Sequence, residues 1–251
     1  MLRLYRRPGV QLRRRTARPR VSRDPGSLSL SIIIPALNEE SAIADLLADL
    51  APLRKKGHEL ILVDGGSVDR TLAIATPGVD RSIQSVPGRA LQMNAGARVA
   101  VGEILWFLHA DTRVPEQAAN ELLRACADGS LWGRFDVRLS GSHWLLRIVE
   151  RMMNLRSQIT GVASGDQGIF VRRETFRDVS GFPQIPLMED IALSKALRRR
   201  SRPACIRHPR LQTSSRRWEQ RGIISTIFLM WRLRLAFACG AAPRDLAKRY
   251  P

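Results

Sequence analysis

"HELILVDGGSVDRTLAIA", residues 58–75, runs from uncharged branched aliphatics into a carboxylate, Asp64, then over Gly65 and Gly66 into a segment with helical spacing. A strand with no charge between Leu60 and Val63 belongs inside a parallel sheet covered on both faces. The glycines supply the turn into the crossover helix. The same pattern recurs on either side. "LSLSIIIPALNEESAIADLLADL", residues 28–50, gives a strand at Ser29–Ile34, a Pro/Asn turn and a helix with Ile43, Leu46, Leu47 and Leu50 on one face. "EILWFLHADT", residues 103–112, gives a strand that stops on Asp111, and a weaker strand at Arg81–Val86 leads through Pro87 and Gly88 into a helix over Ala90–Val99. Four β-then-α units in succession predict a mostly parallel α/β sheet flanked by helices.

After residue 130 the pattern changes. "GRFDVRL", residues 133–139, alternates like a half-exposed strand, so the sheet is expected to become mixed. "HWLLRIVERMMNLRSQI", residues 143–159, has helical spacing, and "GDQGIFVRRETF", residues 165–176, reads as loop, strand and helix start. A Pro-bent loop then feeds a helix whose first turn holds Glu189 and Asp190, a position where acids often only complement the helix dipole.

The chain has 251 residues, enough for one domain with appendages, and a net charge of +18. The charge is uneven: +8 over residues 1–27, −3 over 28–194 and +13 over 195–251. The sheet region is mildly acidic and both ends suit anionic surfaces. Zinc-finger spacing, RNP-like aromatic strands and heptad-bearing basic helices are all missing, which argues against nucleic-acid recognition. Cys126, Cys205 and Cys239 form no CxxC pair and leave an odd count, as expected of a reduced cytoplasmic compartment. Residues 1–27 lack the apolar core of a secretory signal and read as a basic, disordered tail. From Gly222 to Trp231 only ten residues pass before Arg232, short of the ~20 a span needs. Arg221, Ser225 and Arg232 share one helical side while Arg234 lies opposite and would have to snorkel. An amphipathic segment, 219–251, lying peripherally on the inner face of an anionic membrane is expected, with packing on the main domain or a dimer partner as the alternative.

Asp64 and Asp111 end parallel strands, and open α/β sheets bind ligands beyond those ends. Together with Glu189 and Asp190 they would form a carboxylate cluster, which needs a cation. Oxygen ligands of this kind suit Mg²⁺ or Mn²⁺ holding a diphosphate. The other reading of Asp111 is an N-cap for a helix starting near Pro115. GxxxxGK[ST] is missing and "DGGS" is not GxGxxG, so the phosphate would be handled by metal and basic residues.

"SIIIPALNEE" (31–40), "ELILVDGGSVDRT" (59–71), "EILWFLHADT" (103–112) and "MEDIALSKAL" (188–197), in this order, resemble a family 2 glycosyltransferase of the A-type nucleotide-sugar fold. The resemblance runs from about Leu28 to Trp218. "GRALQMNAGA" (88–97) and "SGDQGIFVRRE" (164–174) further resemble a bacterial subgroup, the radical-SAM/selenodomain-associated transferases, whose relatives include carotenoid-acid glucosyltransferases.

The resemblance implies a catalytic domain over 28–218 and metal-dependent, inverting transfer from a nucleotide-diphosphate sugar to a hydroxyl or carboxyl of a lipid-like acceptor. It places Pro35, Asn38, Glu39 and Gly65 at the nucleotide pocket, Asp64 on the base or ribose, Gly88 and Arg89 at the diphosphate, and the metal on Asp111. Asp190 matches the general base, with Glu189 as helper, and Asp166 and Gln167 fall at acceptor positions. His109 stands first in the family's DxD pattern, and read locally it is a strand-end side chain. "TSSRRWEQRG" (213–222) resembles the QxxRW segment of processive synthases, with Arg217 and Trp218 matching on the acceptor side and Ser214 in place of Gln. Two other readings stay open: a sugar-phosphate nucleotidyltransferase, and a membrane- or RNA-binding protein on a degenerate transferase fold.

Overall fold

The computed structural model describes residues 28–249; the expected basic tail, 1–27, lies outside them. Seven strands form one sheet: β1 (Leu30–Ala36), β2 (Glu59–Asp64), β3 (Arg81–Gln84), β4 (Ile104–Phe107), β5 (Trp132–Leu139), β6 (Phe170–Arg172) and β7 (Ala204–Thr213). Their order is β3-β2-β1-β4-β6-β5-β7. β1 to β4 are parallel, β6 runs against both neighbours, and β7 is parallel to β5. The fold is α/β, with a mostly parallel mixed sheet flanked by helices. The helices are α1 (Ile43–Lys55), α2 (Thr71–Ala75), α3 (Arg89–Val99), α4 (Ala118–Ala127), α5 (Trp144–Thr160), α6 (Arg173–Asp178), α7 (Glu189–Arg198), α8 (Arg216–Arg221), α9 (Ile223–Ala238) and α10 (Pro243–Lys248).

The uncharged runs are strands because both faces are covered. On β1, Leu30, Ile32 and Ile34 pack with Leu46, Leu50 and Leu122 on one side, while Ile33 packs on the other with Met93, Leu193 and Leu197. On β4, Ile104 and Trp106 join the first layer and Leu105 and Phe107 the second. α3 approaches closely at Gly96, where an added Cβ would lie 2.5 Å from Ile33 Cγ2. At the sheet's carboxyl edge Gln92 Nε2 donates to the carbonyls of Ala36 and Val63, at 2.9 Å each. The ends of β1 and β2 are thus tied together, leaving the next residues to form loops.

β5 corrects one expectation. It is buried along its length except at Arg138, because it lies inside the sheet and under α5. Its polar residues are used inside: Arg134 and Asp136 form a buried ion pair, and the Asn154 side chain of α5 bonds both the N–H and the carbonyl of Val137. Glu150 Oε1 accepts from Leu139 N at 2.6 Å. α5 therefore turns a polar stripe, Glu150, Asn154 and Ser157, toward the sheet. Its outer stripe is apolar and exposed: Trp144, Ile148, Met152, Leu155 and Ile159.

α9 runs through Arg232 and Arg234 to Ala238, and Arg232 points to solvent. Leu233 and Leu246 share a buried cluster with Val162, Met188 and Ile191, so α9 and α10 are packed on the sheet-bearing part. Ile224, Phe228, Trp231 and Leu235 stay exposed along the other side of α9. Among the described residues no helix is long and apolar enough to cross a membrane.

Candidate functional site

Three turns leave the carboxyl ends of β1, β2 and β4. Asn38, in the left-handed region at φ 55, donates its N–H to Ser67 Oγ at 3.0 Å and accepts from Val68 N at 2.9 Å. It is exposed and clamps the first turn to the second. Asp64 is 1 % exposed, and its carboxylate accepts from the N–H groups of Gly66 and Ser67 at 3.1 to 3.2 Å. It organises its own turn, and Gly65 beside it packs on Gln92. Asp111 stands on the third turn with its carboxylate 28 % exposed. α4 begins only at Ala118 with Gln117 as its first flanking residue, so Asp111 is not a cap.

The carboxylates expected to converge do so only in part. Among the described residues no group of three or more His, Cys, Asp or Glu is placed to hold a metal, because Asp64 turns into its own loop. Asp111 keeps company with Glu39 instead. Glu39 is held above its usual range by burial and by the charge of Asp111, with Arg216, His109 and Arg89 opposing. Arg216, which the sequence reading missed, reaches in from α8. Its Nη2 lies 3.5 Å from Glu39 Oε2 and 4.0 Å from Asp111 Oδ2. Nothing in "SSRRWEQR" separates Arg216 from its matched neighbour Arg217 until α8 turns Arg216 toward Glu39 and Asp111 and sets Arg217 beside Asp166.

These side chains line a polar cleft of about 590 Å³. Pro35, Glu39, Gly88, Arg89, Asp111 and Arg216 face it; Gly88, at φ 134, turns the chain into α3. An apolar cavity of about 550 Å³ adjoins it. Arg89, His109, Asp166, Glu189, Arg217 and Trp218 belong to both, forming the shared wall, whereas Asp190 faces the apolar side alone. Asn38, Asp64, Gly65 and Gln167 line neither.

The wall is held by mutual contacts. His109 Nδ1 lies 3.2 Å from Asp166 Oδ1, so His109 is more than the end of a strand. Burial pushes Asp166 up, but the His109 bond and the charges of His109, Arg89 and Arg217 outweigh it and hold its carboxyl at about 2. Gly165 N–H donates to Asp190 Oδ2 at 2.8 Å, and Ile191 N–H to Oδ1 at 2.7 Å. Met188, left-handed at φ 68, swings the chain so that α7 starts on the two acids. Glu189 is 6 % exposed, and burial together with the charge of Asp190 raises it to about 7. Gln167 is fully buried: its Oε1 accepts from Ser164 N at 3.1 Å and its Nε2 donates to Ser157 Oγ at 2.9 Å. The acceptor contact expected of it is replaced by a hydrogen-bonded turn.

The comparisons agree with this architecture. Residues 31–177 match the model of glycosyl transferase family 2. The undecaprenyl-phosphate 4-deoxy-4-formamido-L-arabinose transferase of Pseudomonas aeruginosa (strain LESB58) is 30 % identical over 156 residues, covering 57 % of this chain and 46 % of its own length. The chain thus spans about half the length of the curated relatives it matches. S. aureus TarS 1-349 superposes with a TM-score of 0.63 at 20 % identity, covering 75 % of this chain and 61 % of that one. The mannosyltransferase PcManGT from Pyrobaculum calidifontis, solved in complex with GDP-Man and Mn²⁺, gives 0.58 at 21 %, covering 88 % and 62 %. At such identities the two structures establish the fold alone. The family match takes in the strands and turns that carry Glu39, Arg89, Asp111 and Asp166, and the chain belongs to glycosyl transferase family 2.

Proposed function

We propose that the chain is an inverting transferase that moves a sugar from a nucleotide-diphosphate sugar in the polar cleft to a lipid-like acceptor in the apolar cavity. One observation carries this reading: the two compartments meet at a single wall made of His109, Asp166, Glu189 and Arg217, and Asp190 stands on the far side of it. The family match favours this over a nucleotidyltransferase. The relatives and neighbours are named for undecaprenyl phosphate, UDP-GlcNAc and GDP-Man, which supports a nucleotide-sugar donor and a lipid acceptor. The resemblance of residues 88–97 and 164–174 to relatives of carotenoid-acid glucosyltransferases adds a carboxyl as one proposed acceptor chemistry.

Arg89 at the start of α3, with Arg216 and Arg217, supplies positive charge for the diphosphate. The donor set fits Mg²⁺ or Mn²⁺, hard cations that take one or two carboxylates together with phosphate oxygens, and Asp111 with Glu39 would hold it. When bound, the ion would neutralise charge gathering on the departing diphosphate. A hydroxyl oxygen of the acceptor attacks the anomeric carbon from the face opposite the leaving group, giving inversion. Its proton passes to Asp190, and the diphosphate departs with the electron pair. A carboxylate acceptor has no proton to lose. Glu189 is the second candidate for the proton, because its value of about 7 suits a base at neutral pH.

The exposed apolar stripes of α5 and α9, set beside a C-terminal region of net charge +13, support attachment to an anionic membrane surface. The donor half is tested by calorimetric binding of a panel of nucleotide diphosphates and nucleotide sugars, with and without Mn²⁺. Metal-dependent binding that disappears in Asp111→Asn is expected. No binding under any condition would sink the transferase reading in favour of a degenerate fold. Asp190→Asn should keep donor binding and lose transfer to a hydroxyl acceptor; Glu189→Gln, if the proton goes there instead, shows that loss.

A further inference from the structure

The apolar cavity holds two cations with too few partners. Arg156 donates through Nη1 to the carbonyl of Val162 at 3.0 Å, but its Nη2 is buried with no hydrogen-bond partner, and so is Nε of Arg234. Both side chains line the cavity, so Arg234, expected to snorkel outward, turns inward. A guanidinium does not shed its proton, and unpartnered N–H groups away from water are costly unless an anion meets them. Asp190 acts on Arg156 through charge, while its oxygens accept from the N–H groups of Gly165 and Ile191.

The remaining surface is apolar and pliable. Five of the chain's six methionines, Met93, Met152, Met153, Met188 and Met230, line this cavity. Methionine adapts its shape to flexible apolar ligands. Met152 of α5 and Trp231 and Leu235 of α9 line it too, and all three also belong to the exposed stripes, so the cavity opens between those helices onto the apolar face.

We propose that this cavity is a subsite for an anionic amphiphile, with Arg156 and Arg234 receiving a carboxylate or phosphate head beside Asp190 and the chain leaving between α5 and α9. The proposal deepens the acceptor side of the transferase reading and rests on it. Two guanidinium groups give paired, charge-assisted hydrogen bonds to either head.

The test titrates the full chain, without donor or metal, with dodecyl phosphate, dodecanoate and dodecyl maltoside below their aggregation limits. Fluorescence of Trp218 and Trp231, which line the cavity, is the signal. The anionic probes should bind about tenfold or more tightly than the neutral one, as charge-assisted bonds predict. That preference should vanish in Arg156→Gln and in Arg234→Gln. Met152→Glu, at the rim and one turn before Arg156 on α5, should also weaken the anionic probes, by repelling the head and by pairing with Arg156. Tighter binding of the phosphate or of the carboxylate identifies which head the site takes. Equal binding of neutral and anionic probes, no amphiphile binding, or a head preference that survives in all three variants overturns the proposal. Donor binding is measured on the same preparations: its failure removes the transferase reading, whereas intact donor binding with no amphiphile binding strikes this inference alone.

Discussion

Glu189→Gln isolates the most perturbed acid of the site. Glu189 is 6 % exposed, and burial, with the charge of Asp190 next in weight, raises it from 4.5 to about 7. The fold therefore favours the protonated form. The stability this group contributes is complete below 4.5, its ordinary value, and is lost as the pH rises through about 7. At about 1.4 kcal/mol for each tenfold change, the loss across that window is on the order of 3 kcal/mol. Gln stays neutral in both states and loses nothing there. Urea denaturation of the nucleotide-free protein, followed by tryptophan fluorescence, should show the variant gaining about that much over the wild type between pH ~4 and pH ~8. Other titrating groups are common to both proteins and drop out of the difference. The gain should shrink in an Asp190→Asn background, because the second cause of the shift is gone. Parallel stability curves across the window would refute the reasoning and remove Glu189 from consideration as a base near neutral pH.

Arg134→Gln leaves the Asp136 carboxylate buried without its cation and should cost about 3–5 kcal/mol in chemical denaturation, whereas Arg134→Met with Asp136→Leu should recover most of it. Gly165→Ala puts a Cβ 2.8 Å from His109 Nε2, on the segment whose N–H holds Asp190. Transfer, measured as product formation, should fall by roughly tenfold or more with a small change in Tm, since misplacement at the reacting groups matters more than the added volume. Phe228→Asp, at 72 % exposed, should leave stability within about 0.5 kcal/mol and cut sedimentation with anionic vesicles by about tenfold; unchanged sedimentation would detach the membrane from this face.

The first half of the fold was legible because β1, β2 and β4 carry uncharged runs buried on both faces, a pattern that needs no partner to be recognised. Asp64 and Asp111 look alike in the sequence, each a carboxylate at the end of such a run. They diverge because Gly66, at φ 94, curls the second turn so that its N–H groups fall on Asp64, while the turn after β4 leaves Asp111 facing the cleft. Side-chain direction at a turn is set by backbone angles that spacing does not reveal.

Periodicity shows that a helix has two faces without showing which one is inside. On α5 the polar stripe is inside because it bonds β5: Asn154 holds the N–H and carbonyl of Val137, Glu150 accepts from the Leu139 N–H, and Gln158 donates to Asp136. Those bonds go to a strand that itself read as half exposed, so the burial of the strand and the orientation of the helix are one event seen from its two sides. Once the polar stripe faces the sheet, Trp144, Ile148, Met152, Leu155 and Ile159 must face outward. Met152 then becomes the rim of a cavity beside Asp190, with Trp231 and Leu235 of α9 opposite. The buried polar strand, the polar inner stripe of α5 and the apolar opening follow from one contact between α5 and β5. Arg134→Met with Asp136→Leu leaves Asn154 and Glu150 bonded to the β5 backbone, so α5 should keep its orientation and Met152 its place at the rim.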